Sequence, residues 1–209
     1  MDSDSTVFVV DDDVQSRGTV VAMVTGKGLR AAEFSSADDF LARYDATRKG
    51  CVVIDIRMAG MSGLGLLQNL KTRKSSLPVI VTTRDGDVGL AVRAMREGAF
   101  TFLEKPVQND ELWQAISQAL EFEQTQHAQR KERAEIEARL ASLTPDEAEV
   151  FRRLLAGHAN KRIATDQDLG LRTVELRRAN IMRKMQASSL PNLVRMAILI
   201  DFFKPESTA

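Results

Sequence analysis

The chain is poor in several residue types, and each shortage excludes something. Among 209 residues there is one cysteine, one tryptophan, one tyrosine and five prolines. A lone cysteine, Cys51, rules out an internal disulfide, and its apolar neighbours in the run CVVI mark it as a small buried residue rather than a reactive thiol. The two histidines, His127 and His158, have no companions at metal-ligand spacing and read as surface residues. No apolar run follows a basic N-terminal stretch, and none approaches the ~18–20 residues of a membrane span. A cytoplasmic protein is the expectation. Excess charge of one sign is also missing, with 29 basic and 29 acidic residues. Apolar residues make up 44% of the chain, so one large or two small domains can each bury a core.

The even balance hides an asymmetry. Residues 1–120 carry 14 basic and 16 acidic residues, whereas 143–209 carry 11 basic and 8 acidic. Within 172–184, Arg172, Arg177, Arg178, Arg183 and Lys184 face a single acid, Glu175. That local excess points to a polyanionic partner.

The first half alternates short apolar runs with helix-like segments. The runs VFVV, CVVI, VIVT and FLE are followed or closed by Asp11 and Asp12, by Asp55, by Thr83 and by Lys105. A weaker strand covers 30–34. Helices are predicted over 14–25, with Val14, Val21 and Val24 on one side, from Ser36 as cap, over 64–73, over 87–97 and from about Asn109. The order predicts an α/β domain with a doubly wound five-stranded parallel sheet. In such a sheet the carboxyl ends of the strands form the reactive crevice. Three carboxylates, a hydroxyl and an ammonium converge there, a set suited to a divalent metal and to phosphoryl transfer onto an aspartate.

From Glu121 to Arg139 the sequence is polar, lacks Pro and Gly, and favours a solvated helical linker over 121–142. Ile136, Leu140 and Leu143 offer a weak coiled-coil seam as an alternative. Thr144-Pro145-Asp146-Glu147 then reads as a helix start in one line. Four helices in about 65 residues, with a short turn before the basic one at 171–185, fit an all-α helix-turn-helix domain over 143–209. Val174, Ile181, Met185, Met196 and Ile200 read as its core, the last two with an option to face a second copy.

The first 120 residues resemble the CheY-like receiver domain of two-component response regulators. The resemblance rests on Val10-Asp11-Asp12, Asp55, Met61-Ser62-Gly63, Thr83 and Lys105-Pro106. It implies that Asp55 is phosphorylated by a histidine kinase, that Asp11, Asp12, Asp55 and the Arg57 carbonyl hold Mg2+, and that Thr83 and Lys105 contact the phosphoryl group. Movement of Thr83 would make room for Phe102 in a switch that leads two receivers to pair. The chain would be a phosphoacceptor and no enzyme beyond slow self-catalysed transfer and autodephosphorylation. A haloacid-dehalogenase-type phosphatase would need a second carboxylate two residues after the nucleophile, and Arg57 stands there. Arg57 and Asp85, two residues after Asp55 and Thr83, would both look onto the phosphoryl group and could close as a charged lid.

The C-terminal part resembles the LuxR-type helix-turn-helix of NarL/FixJ response regulators, through Leu143-Thr144-Pro145, Glu147, Gly157, Asn160-Lys161, Thr173-Val174-Glu175 and Lys184-Met185. FixJ is the closer group. The resemblance makes 171–185 the recognition helix of a DNA-binding transcriptional regulator. Arg172, Thr173, Glu175, Leu176 and Arg178 would lie near bases or phosphates, with Arg177, Lys184, Asn160 and Lys161 on the backbone. Several positions depart from the pattern. Gln167 replaces a core leucine, Gly170-Leu171 replaces a serine-proline cap, and Asp166 and Asp168 add negative charge near the DNA face. The competing reading is a phosphorylation-switched protein-interaction module whose helix-turn-helix no longer reads DNA.

Overall fold

The computed structural model describes residues 5–84 and 88–202. It separates into two compact units, residues 1–127 and 128–209.

The first unit is built on a five-stranded parallel sheet in the order β2-β1-β3-β4-β5. In chain order its elements are β1 (Thr6–Val10), α1 (Val14–Gly26), β2 (Arg30–Phe34), α2 (Ala37–Arg43), β3 (Gly50–Asp55), α3 (Gly63–Thr72), β4 (Val79–Thr83), α4 (Val88–Glu97), β5 (Thr101–Glu104) and the start of α5 (Asn109–Ala141). The central strands are apolar on both faces because helices cover both. Period-two alternation sends Phe8, Val10, Val52, Ile54, Val79 and Val81 into one core cluster, with Phe34, Phe40, Leu66 and Leu70. Val7, Val9, Cys51, Val53 and Ile80 enter the other, with Val24, Leu112, Ile116 and Leu120. Truncating a fully buried residue such as Ile54 to alanine costs ~2–5 kcal/mol.

Local signals set the helix starts. Asp13, Ser36 and Ser62 each cap a helix by accepting backbone N–H bonds. The expected start of α4 at Asp87 lies outside the described residues. The face expected for α1 needs correction, since Val14 is 73% exposed and only Val24 is fully buried. Val14 opens the first turn of α1 just beyond the carboxyl end of β1, so helical periodicity gives it nothing to pack on.

The second unit contains the end of α5 and then α6 (Pro145–Leu155), α7 (Asn160–Asp166), α8 (Leu171–Met185) and α9 (Leu190–Leu199). Thr144 and Glu147 complete a capping box: Glu147 N–H donates to Thr144 Oγ1 at 3.2 Å, and Thr144 N–H donates to Glu147 Oε2 at 2.9 Å. Gly157, with φ of 80°, ends α6 in a Schellman turn, in which His158 N–H reaches Arg153 O and Gly157 N–H reaches Leu154 O. Val150, Phe151, Ile163, Val174, Ile181, Met185, Leu193 and Met196 form one core.

The polar stretch of α5 is not solvated throughout. Ile136 is buried in this second core, and Leu140 and Leu143 pack against it. The apolar seam therefore serves its own unit. Both histidines are half-buried rather than on the surface, and His158 Nδ1 is shielded without a hydrogen-bond partner. The Schellman turn folds the chain back at Gly157 and draws His158 inward. Gln167 is only half-buried, at the end of α7, so the leucine-to-glutamine departure leaves no amide buried without a partner.

Candidate functional site

β1 and β3 are neighbours in the sheet, and the strand order turns between them, so a crevice opens past their carboxyl ends. Asp11 follows β1 and Asp55 closes β3, and both are buried, while Asp12 is exposed. Lys105, following β5, extends its ammonium between them. Its Nζ lies 2.7 Å from Asp11 Oδ2 and 2.7 Å from Asp55 Oδ1. The remaining oxygens are held by nearby donors. Asp11 accepts from Asp13 N–H at 2.9 Å and from Ser16 Oγ at 2.7 Å. Asp55 Oδ2 accepts from Arg57 N–H, and Asp12 Oδ2 from Ala59 N–H, each at 2.8 Å. Gly63 allows the loop to close, because a Cβ there would stand 2.3 Å from the Asp55 carbonyl oxygen.

Burial lifts the Asp55 carboxyl above the ordinary carboxylate range, and the Lys105 ammonium only partly opposes this. Burial also works against the charge on Lys105, yet its bonds to Asp11 and Asp55 outweigh that and raise its pKa. The single Lys105 ammonium thus only partly offsets the two buried carboxylates it touches, which leaves room for another cation at their free oxygens. The cleft of about 230 Å³ is lined by Asp11, Asp12, Asp55 and Lys105, together with Arg57 and Arg84.

No group of three acidic, histidine or cysteine side chains among the described residues forms a ready metal cage. Lys105 stands between Asp11 and Asp55 instead. The donor set still fits magnesium, which takes one or two carboxylates and completes its shell with water and phosphate oxygens.

Thr83 is fully buried at the end of β4, and Phe102 is half-buried against the cluster of Val79 and Val81. Alternation along β4 places Thr83 on that same face. Asp85, the partner expected for Arg57 in a lid, lies outside the described residues. Two participants escape sequence reading. Ser16 donates to Asp11, and Arg84 Nη2 lies 2.6 Å from Asp13 Oδ2. Hydrogen bonds from the Ser16 backbone and from Arg84 hold the Asp13 carboxyl below its usual range. The available signal is an arginine directly after the strand-end hydroxyl and a third aspartate in the acidic run.

In the second unit α8 has no side-chain cap at Gly170, as the loss of serine implies. Arg172, Thr173, Glu175 and Leu176 are exposed, with Leu176 at 63%. Arg183 is exposed as well, whereas the other three basic residues are engaged. Arg178 Nη1 donates to Asn160 Oδ1 at 3.2 Å, and Arg177 pairs with Asp146. Lys184 Nζ lies 2.6 Å from Glu147 Oε2 and 3.1 Å from Ser142 O. Beside the phosphate contact expected of it, Lys184 is thus placed as a brace on the capping box. Asp166 is neutralised by Arg153 and Arg162, so its charge near α8 is offset, whereas Lys161 stays exposed.

Comparison with known proteins matches both units. Residues 7–117 match the response regulator receiver domain, and residues 141–197 match the LuxR family of bacterial regulatory proteins. The chain is 42% identical over 194 residues to the transcriptional regulatory protein FixJ of Bradyrhizobium diazoefficiens, covering 92% of this chain and 94% of that one. It is 43% identical over 200 residues to FixJ of Rhizobium meliloti, covering 96% and 98%. Among solved structures, the response regulator StyR aligns with a TM-score of 0.86 at 35% identity, over 96% of this chain and all of that one.

Proposed function

The chain belongs to the two-component response regulators that join a receiver to a LuxR-type output domain, and we propose that phosphorylation of Asp55 by a sensor histidine kinase controls its action on DNA. It is a DNA-binding transcriptional regulator, and no observation favours the protein-interaction alternative. Neither matched domain is an enzyme.

The observation that carries the assignment of Asp55 is its place at the end of β3, bonded to Lys105 and to the Arg57 N–H. A carboxylate oxygen of Asp55 attacks the phosphorus of a phosphohistidine, an acyl phosphate bond forms, and the P–N bond breaks with the imidazole as leaving group. Lys105 exchanges its bond to Asp55 for one to a phosphoryl oxygen and offsets the added charge. Asp11, Asp12, Asp55 and the Arg57 carbonyl would hold Mg2+, which when bound neutralises the anionic donor and acceptor. Thr83 donates its hydroxyl to a phosphoryl oxygen, and Phe102, on the same face, turns inward behind it. Any self-catalysed transfer or hydrolysis of the phosphoryl group is slow.

The exposed apolar residues Val88, Val92 and Met95 recur at helical spacing on α4. They support pairing of two phosphorylated receivers through α4 and β5, which brings two α8 helices to adjacent half-sites. Arg172, Thr173, Glu175, Leu176 and Arg178 contact base edges and nearby phosphates, with Asn160 and Lys161 on the backbone. We place the receiver at 1–120, the helical connection at 121–142 and the output domain at 143–209.

The test is phosphate-affinity electrophoresis of the full chain with acetyl phosphate and Mg2+, followed by DNA-fragment selection. A retarded band in the wild type, absent in Asp55→Asn, with enriched palindromic fragments, supports the reading. A retarded band that persists in Asp55→Asn refutes the site.

A further inference from the structure

Beside the acid cleft the first unit contains a second, larger cavity of about 470 Å³. It lies between α1, the carboxyl ends of β1 and β3, and the segment from Lys105 to the first turn of α5. Its walls are mainly apolar. Val9 and Val53 form the floor, Val20 and Met23 one side, and Val107 and Leu112 the other. The cause is local. The α1 residues that line it include the short side chains Ser16 and Thr19, where a packed helix would carry larger apolar groups.

We propose that this cavity is a binding site for one uncharged, largely apolar small molecule bearing a single hydrogen-bonding group. Its size falls within the ~300–1,000 Å³ of small-molecule pockets, and mostly apolar walls with a few convergent polar groups are their usual lining. A helix, about 10–12 Å across with its side chains, is too broad an occupant. The charge pattern selects an uncharged ligand. Asp11, Asp55 and Lys105 reach the cavity but bond one another, and Arg84 is committed to Asp13. A charged head would have to break one of these pairs. Four polar groups retain capacity. The Asn109 carboxamide makes no side-chain hydrogen bond, and the hydroxyls of Thr19, Ser16 and Thr82, which donate to Gln15 O, Asp11 Oδ2 and Ile54 O, can still accept.

The probe for the test is N-phenyl-1-naphthylamine, an uncharged fluorescent amine, titrated into the full chain. Saturable binding is expected with Kd of about 10–100 µM. Val20→Trp and Thr19→Phe fill the space and weaken it by roughly tenfold or more, whereas Ile198→Ser, an exposed apolar site on α9, leaves it unchanged. Methyl NMR on the wild type guards against misfolded variants, with shifts expected at Met23, Val20 and Leu112. No saturable binding, equal affinity in the filled variants, or methyl shifts confined to other residues overturns the proposal.

Discussion

Lys184 and Arg172 lie on one helix, and substitution separates what each does. Lys184 Nζ donates to Glu147 Oε2 and Ser142 O, and Glu147 is buried while it also accepts from Thr144 N–H. Lys184→Met keeps the apolar stem and removes the ammonium, leaving Glu147 with Thr144 as its remaining partner. Removing one partner of a fully buried pair costs ~3–5 kcal/mol. The Lys184 side chain is 24% exposed, so water replaces part of the bond and about 2 kcal/mol is expected. For a unit of this size that lowers Tm by roughly 8–16 °C. The assay can resolve it because the only tryptophan, Trp113, and the only tyrosine, Tyr44, both lie in the first unit. Tryptophan fluorescence follows that unit, and far-UV circular dichroism follows both. The variant should shift a dichroism transition and leave the fluorescence transition in place. DNA affinity against salt supplies the second arm. Arg172→Ala should reduce the slope of log affinity on log salt by about 0.9, whereas Lys184→Met should leave it unchanged. A Tm shift under about 2 °C together with an Arg172-like fall in slope would refute the brace and restore Lys184 as a phosphate ligand.

The same pair sets a pH response. Bonds from Lys184 and the Thr144 backbone hold the Glu147 carboxyl below its ordinary range. Its contribution is complete above the unfolded value of about 4.3 and is lost as pH falls through the lowered folded value, so Glu147→Gln should flatten the acid-side loss of second-unit stability. Gly63→Ala would set a Cβ 2.3 Å from the Asp55 carbonyl, so the first-unit fluorescence transition should fall by about 1–3 kcal/mol and phosphorylation should slow. An unchanged transition would mean that the loop shifts without cost. Phosphorylation should shorten the retention volume of the wild type, and Val92→Asp should abolish that change while Asp55 still takes up phosphate. Equal retention of wild type with and without phosphoryl donor counts against pairing through α4.

The residues that proved readable from sequence share one physical property: their position is fixed by the chain next to them. Asp11, Asp55 and Lys105 stand where apolar runs stop, and a parallel sheet brings such stops to one edge whatever the helices do. The capping box at Thr144 and Glu147 is likewise a four-residue event. What spacing could not supply was the identity of distant partners. Arg84 finds Asp13, and Lys184 finds Glu147, across elements separated by long stretches of chain. Periodicity likewise finds an apolar stripe but not what covers it. It gave Val14 to a core that the first turn of α1 does not reach, and it read Ile136 as part of a solvated helix although its own unit buries it. The recognition helix shows how this affects function. Net charge counts five basic residues over 172–184, yet Arg177, Arg178 and Lys184 are already bonded within the unit. Each would have to exchange an existing bond for one to phosphate, at a net gain smaller than a free side chain makes. Arg172 and Arg183, both exposed, have no such bond to give up. The electrostatic footprint on DNA should therefore be narrower than composition implies, carried by Arg172 in the amino-terminal turn of α8, where Thr173, Glu175 and Leu176 are also exposed, and by Arg183 in its last turn.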